Sequence, residues 1–312
     1  MARRASARFL MAGAVCLALG ACEGLGTGRP TSPPSAPIPA VPTEPTPKSA
    51  AASRYYAQVQ QVLLRESMLR TDPGTDIPVS AEALTENFLR IALFHEFRRS
   101  NTGIVRGETE TQLTRWTVPL RVSLNFGASV PADKQATDRA RIASYLARLS
   151  RLTGQSIALS DAAPNFWVYI VSEDEREAMG PVLNGLGLDI RNDVIETITR
   201  MPPTTYCNVF GLSGSETHTY SAAVAVIRSE NPDLLRLSCF HEEIAQAMGL
   251  PNDSPRARPS IFNDDEEFAL LTDQDEMMLR MLYSPELRPG MTATEARPIV
   301  YSLARRLTGG DS

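Results

Sequence analysis

The sequence predicts an α/β (α+β) domain preceded by N-terminal helices, and three observations lead there. "WTVPLRVSLNF" alternates, with Val118, Leu120, Val122, Leu124 and Phe126 pointing one way, the period-2 pattern of a strand with one buried face. "SIAL", "FWVYIV" and "THTYSAAVAVIRS" are short apolar runs rich in small, aromatic and β-branched residues, which read as further strands. Helical stripes stand between and after them, and strand, helix, strands, helix is the order of a layered mixed fold.

Along the chain, Lys48–Arg70 carries Tyr56, Val59, Leu63 and Met68 at near-helical spacing. Ser80–Phe97 is a second helix: Ser80 can cap it, and Leu84, Phe88, Ile91 and Phe94 or His95 share a face. His95 and Glu96 form an HE pair, but Arg99 stands where a second ligand would follow, so His95 reads as a packing or surface residue. Pro119 suggests that the next strand begins at a sheet edge. "TDRARIASYLARLSRLTG" puts Ile142, Leu146, Leu149 and Leu152 on one stripe, with Gly154 as the stop. Leu183–Thr199 is weakly patterned and reads as loop and short helix. "GLSGSET", Gly211–Thr217, reads as a flexible polar turn, because the Gly-x-Ser-x-Gly nucleophile pattern is absent. The boundaries that follow are a helical segment over 51–115 and the mixed domain over 116–312.

The N-terminus has a different character. "MARR" is a positive region and Phe9–Gly20 an apolar run too short to span a bilayer comfortably. "LGAC", Leu19–Cys22, resembles the lipobox of a bacterial lipoprotein signal. The resemblance implies removal of residues 1–21 and lipidation of Cys22; a plain secretory signal is the alternative. The Pro-rich stretch after it completes a linker over 22–50 that cannot bury a core and would act as an extended tether. The expectation is an envelope protein, anchored to a bacterial membrane through Cys22 and facing the periplasm, with outer or inner membrane left open. A net charge of -5 with no basic face excludes nucleic acid as the expected partner; envelope proteins or peptides remain. Of four cysteines, Cys16 leaves with the signal and Cys22 takes the lipid. Cys207 and Cys239 are then an even pair in an oxidising compartment, and a disulfide follows, with two buried thiols as the alternative.

The stretch with most chemistry is "NPDLLRLSCFHEEIAQAMG". Asn231 can cap, Pro232 sits in the first turn and Gly249 ends the helix. Leu237, Phe240, Ile244 and Met248 form the apolar stripe, with Glu242 and Gln246 one turn apart on the other side and Glu243 beside them. Two ligands at i and i+4 can grip one ion, and a Glu beside the first can act as general base. The spacing Glu242, Glu243, Gln246, Gly249, Asn252 resembles the active-site helix of metzincin zinc proteases, in which a third ligand follows the glycine by three residues. "PSIFND" resembles the loop beneath the metal in that family, with Phe262 in the place of a methionine. "LLTDQDEMMLRMLY" resembles its closing helix. The resemblance runs from Trp116 to Tyr283 and implies a metzincin-like fold with Glu243 at the general-base position. All three histidine ligand positions are replaced, by Glu242, Gln246 and Asn252.

Behind the lipobox, "CFHEEIAQAMGLPNDS", "FNDDEEFALLT" and "MLYSPELRPGM" also resemble a family of proteobacterial lipoproteins catalogued as domain of unknown function 2927.

Amide oxygens are weak zinc ligands, so no cofactor is the expectation. Zinc has a poor donor set here. An oxygen-only site for another divalent ion would need Asp253, Asp264 and Asp265 to fold back. His241 lies about 100° around the helix from Glu242 and reads as packed, not ligating. Three readings stay open: a degenerate, non-catalytic binding scaffold; an active peptidase or other hydrolase using Glu243 as general base; and a structural envelope component with a solvated polar face.

Overall fold

The strands of the central sheet are buried on the faces that their side chains offer. In the computed structural model, which describes residues 38, 44–100, 103–214, 216–263 and 265–309, five strands are ordered β4-β3-β5-β7-β6. They are β3 (Leu120–Phe126), β4 (Ile157–Leu159), β5 (Phe166–Val171), β6 (Cys207–Ser213) and β7 (Tyr220–Arg228). The first four in that order run parallel, and β6 pairs antiparallel with β7 at the edge. Phe166, Val168 and Ile170 enter the larger core, while Trp167, Tyr169 and Val171 enter a second core on the opposite face. A strand covered on both faces needs this unbroken apolar run. β3 has one apolar face, through Leu120, Val122 and Leu124, as its alternation predicts. Each large side chain fully buried in this way contributes about 1.5–3 kcal/mol.

Helices cover both faces. α3 (Ala132–Thr153) ends at Gly154 in the left-handed conformation, and α7 (Asp233–Ala247) follows β7 directly. With α2 (Ala81–Ala92), α8 (Asp273–Leu282) and α9 (Ala293–Thr308) they enclose the larger core. The short α4 (Glu173–Glu177), α5 (Gly180–Asn184) and α6 (Asn192–Thr199) lead from β5 to β6, with α5 and α6 over the second core. α1 (Pro47–Arg65) packs with Tyr56 against Leu235 and Ala269. The described residues belong to one compact unit, and none of their helices is long and apolar enough to cross a membrane. Residues 1–37, including Cys22, lie outside the description.

Several expectations need correction. The second helix stops at Ala92, not Phe97: Leu93 leaves helical geometry at φ -121°. Phe94–Ser100 becomes β1, paired with β2 (Gly103–Glu110) in a separate hairpin. Helical spacing at Phe94 masked this strand, although its partner follows it directly in the chain. The first helix stops at Arg65, because Ser67 and Leu69 adopt positive φ. Pro119 precedes the ladder, which starts at Leu120, and β3 is an interior strand between β4 and β5. Gly211–Ser213 is the end of β6, not a flexible turn. A Cβ at Gly211 would lie 2.5 Å from the Tyr220 ring on β7, so close cross-strand packing accounts for this glycine.

The thiol pairing is as expected. Cys207 on β6 and Cys239 on α7 form a disulfide with a Cα–Cα distance of 5.9 Å. Replacing both by alanine is expected to cost about 2–4 kcal/mol, since the loop they close is then free in the unfolded chain. A fall of the urea midpoint, with a steeper slope because the freed unfolded chain exposes more surface, checks it; an unchanged midpoint refutes it.

Candidate functional site

α7 is placed by its two ends. Its N-cap is Pro232, which offers no side-chain cap. Asn231, the expected cap, instead donates to the Tyr206 carbonyl at 3.1 Å. The missing acceptor comes from α1, where Gln60 Oε1 receives the Leu235 N–H at 3.0 Å. At the other end Gly249 turns the chain at φ 122°, and a Cβ there would meet the Thr114 carbonyl oxygen at 2.3 Å. Trp116 Nε1 donates to the Ala247 carbonyl (2.8 Å) and the Tyr283 hydroxyl to that of Met248 (3.0 Å). The last carbonyls of the helix are thereby satisfied by side chains from elsewhere in the fold.

The expected site residues divide into two groups. Glu242 and Glu243 come together with Cys207: one ligand atom from each lies within 4.8 Å of the others. Glu243 is 3% exposed, whereas Glu242 is half-buried. Gln246 and Asn252 have other commitments. Gln246 Nε2 donates to Asp253 at 3.2 Å. Asn252 is 2% exposed, and its Nδ2 donates to the Arg90 carbonyl (3.0 Å) and to Glu108 Oε1 (3.3 Å). Its own N–H donates to the Ile91 carbonyl at 3.2 Å, and Arg90 pairs with Glu108 at 2.6 Å. Asn252 therefore ties the turn after α7 to α2 and β2. Asp265 accepts from the Glu267 N–H on the surface, and Asp264 lies outside the described residues. Among those residues, neither Asp253 nor Asp265 joins a cluster of three possible metal ligands.

His241 is packed and hydrogen-bonded, as its helical angle implied. Its ring stacks on Tyr145 at 4.0 Å, its Nδ1 accepts the Leu271 N–H at 3.1 Å, and its carbonyl accepts the Tyr145 hydroxyl at 2.8 Å. Burial, with help from the nearby Arg148 charge, pushes its pKa down to about 3, so the imidazole is neutral at pH 7. Below the helix, Phe262 is fully buried, and its carbonyl accepts the Ser254 N–H at 2.8 Å. Asp275 holds this loop through Ser260 and Ile261.

Arg90, Glu108, Tyr145 and Asp275 are the partners that sequence reasoning missed. Only Asp275 carried a local signal, the Thr-x-x-Asp spacing of a capping box at the start of α8.

A zinc ion held by Glu242, Gln246 and Asn252 does not fit this geometry. Two of the three donors are amides, whose oxygens are weak zinc ligands, and the Asn252 side chain is oriented by its Nδ2 bonds to α2 and β2. No curated protein and no solved structure matches the chain. Residues 81–302, which contain every described residue of this site, match one family. The chain belongs to the family described as "Protein of unknown function (DUF2927)".

Proposed function

We propose that the protein is a binding domain tethered to the bacterial envelope, built on a metzincin-like scaffold whose ligand positions now serve the fold. The observation that carries this reading is Asn252. The residue at the third ligand position is buried and bridges two other elements. The mixed sheet, the glycine turn after α7 and the buried Phe262 loop support the scaffold comparison. The deep burial of Glu243 speaks against a merely solvated polar face, since carboxylates are seldom buried without a role in a network.

The partner class is a protein or peptide segment. A groove of about 320 Å³ lies between α6 and β6, lined by Ile190, Val194, Ile198, Phe210 and Leu212. β6 is an edge strand of the sheet, the kind of surface on which an extended peptide can pair. Cys22 and the Pro-rich linker would hold this surface away from the membrane.

The test is metal content by mass spectrometry, with the disulfide intact and no chelator or histidine tag, beside a peptide-cleavage screen. The expected result is no stoichiometric zinc and no turnover. Zinc that is lost on Gln246→Ala, with turnover abolished by Glu243→Gln, would establish the peptidase reading instead. A photo-crosslinker at Leu212 tests the partner class: a peptide or protein adduct blocked by Val194→Arg supports the groove, and an adduct indifferent to that change removes it.

A further inference from the structure

We propose that the Cys207–Cys239 disulfide is the closed, oxidised form of a metal site, and that reduction lets Cys207, Cys239, Glu242 and Glu243 take one Zn²⁺ or a similar divalent ion. This does not depend on the binding reading. It also differs from the protease-like positions, because Gln246 and Asn252 take no part.

The geometry begins with helix spacing. Cys239, Glu242 and Glu243 stand at i, i+3 and i+4 of α7 and share one face. β6 packs against that helix and delivers Cys207, which is bonded to Cys239. The Cys207 Sγ and one carboxylate oxygen each from Glu242 and Glu243 lie within 4.8 Å of one another. Among the described residues no other three His, Cys, Asp or Glu side chains converge in this way.

The donor chemistry suits zinc. Thiolate sulfur binds at about 2.3 Å and carboxylate oxygen at about 2.0–2.2 Å in a tetrahedral shell, which sets donors roughly 3.3–3.8 Å apart. Atoms within 4.8 Å of one another are already near that spacing, and the sulfurs must part from bonding to non-bonded distance by rotation of their side chains. Both carboxylates also hold other polar or electrostatic interactions, so the two thiolates must supply the extra affinity that captures the ion. The disulfide withholds them.

Access is one-sided. Cys239 is 1% exposed and Cys207 is half-buried, so a dithiol reductant meets Cys207 first. Its thiolate attacks Cys207 Sγ, the S–S bond breaks, and Cys239 leaves as a thiolate that takes up a proton. The second thiol of the reductant then releases Cys207 as a thiol and departs as a cyclic disulfide, so two electrons have passed to the protein. Metal binding displaces one proton from each thiol, which makes affinity rise with pH.

The test uses the full chain carrying Cys16→Ser and Cys22→Ser, so that Cys207 and Cys239 are its only cysteines. Oxidised and dithiol-reduced samples, freed of reductant, are titrated with Co²⁺ and then Zn²⁺. The reduced chain should take one equivalent of Co²⁺ with thiolate-to-cobalt charge transfer and tetrahedral visible bands, Zn²⁺ should displace it, and the oxidised chain should take none. Cys207→Ser and the Glu242→Gln, Glu243→Gln pair should each weaken binding at least tenfold. If the reduced, metal-free chain loses its near-UV circular dichroism, one equivalent of Zn²⁺ should restore it. Absence of binding and of such recovery overturns the proposal. So does binding that survives both sets of substitutions unchanged.

Discussion

Replacing Asp275 by alanine is expected to cost the fold about 3–5 kcal/mol, because it strands buried donors in the loop beneath α7. The carboxyl is 0% exposed. Its Oδ1 accepts from the Ser260 hydroxyl at 2.5 Å, and its Oδ2 accepts from the Ile261 N–H (3.1 Å), the Thr272 N–H (2.9 Å) and the Thr272 hydroxyl (2.8 Å). Two of these donors are backbone amides that cannot turn elsewhere. Each left without an acceptor costs about 1–3 kcal/mol. Asp275→Asn keeps the shape and should cost less.

The same residue predicts a pH dependence. Burial raises its pKa from 3.8 to about 6, against the opposing pull of the Ser260 and Thr272 hydrogen bonds. The Thr272 hydroxyl has one proton for two acceptors, Asp275 and the Pro259 carbonyl at 3.0 Å. A protonated Asp275 can donate to that hydroxyl and leave its proton for Pro259, so the acid form has a place in the network. Between roughly pH 4 and 6 the native state keeps a proton that the unfolded chain has released. The contribution of Asp275 to stability therefore falls as pH rises through that window, by up to about 3 kcal/mol. Urea unfolding from pH 4 to 8 checks it: the difference between the parent chain and Asp275→Asn should narrow toward pH 7. A difference independent of pH sinks the assignment, and a loss below about 1 kcal/mol in Asp275→Ala would show that the loop is anchored by other means.

What could be read from the sequence follows from range. α7 was legible because its stripe, first-turn proline and terminal glycine lie within nineteen consecutive residues, Asn231–Gly249. β5 and β7 were legible because burial on both faces demands unbroken apolar runs. β6 was not, since an edge strand carrying Asn208, Gly211 and Ser213 looks like a turn until Tyr220 is seen against Gly211. The site divides in the same way. Helical angle alone separated His241 from Glu242, and a cysteine count paired Cys207 with Cys239. The commitments of Asn252 to Arg90 and Glu108 span sequence separations of 162 and 144, and no local pattern encodes them. The spacing therefore pointed to a three-ligand site that the tertiary structure uses as a bracket.

Replacing Glu173 by glutamine is expected to cost a further 3–5 kcal/mol, for an electrostatic reason. Glu173 is the first residue of α4 and stands between two guanidinium groups that are each 1% exposed. Arg176 reaches its Oε1 at 2.7 Å and its Oε2 at 3.3 Å, and Arg228 pairs with Oε2. The remaining donors of the two arginines go to the carbonyls of Ile198, Thr205, Met201 and Pro202, so those bonds survive the substitution, whereas glutamine removes the neutralising charge and sets an amide donor against a guanidinium where one acceptor oxygen stood. Burial favours the protonated acid, but Arg176 and Arg228 outweigh it and hold the carboxyl below its ordinary 4.5. This stabilisation is present above about pH 4.5 and is lost as pH falls through the lower folded-state value. Denaturation at pH 7 should separate Glu173→Gln widely from the parent chain, and the gap should narrow as pH falls below the ordinary carboxylate range. A gap that stays constant would mean that shape and not charge is at stake. The loss should also reach α1. The Glu173 N–H donates to Glu230 at 2.8 Å, and Glu230 accepts from Ser49 at 2.6 Å, at the start of α1. α1 in turn supplies Gln60 to the N-terminus of α7. In Glu173→Gln, hydrogen exchange should therefore quicken in α1 and the first turn of α7 before it does in β5, which is buried on both faces. Faster exchange confined to α4 would show that the chain from Glu173 to α7 is not coupled.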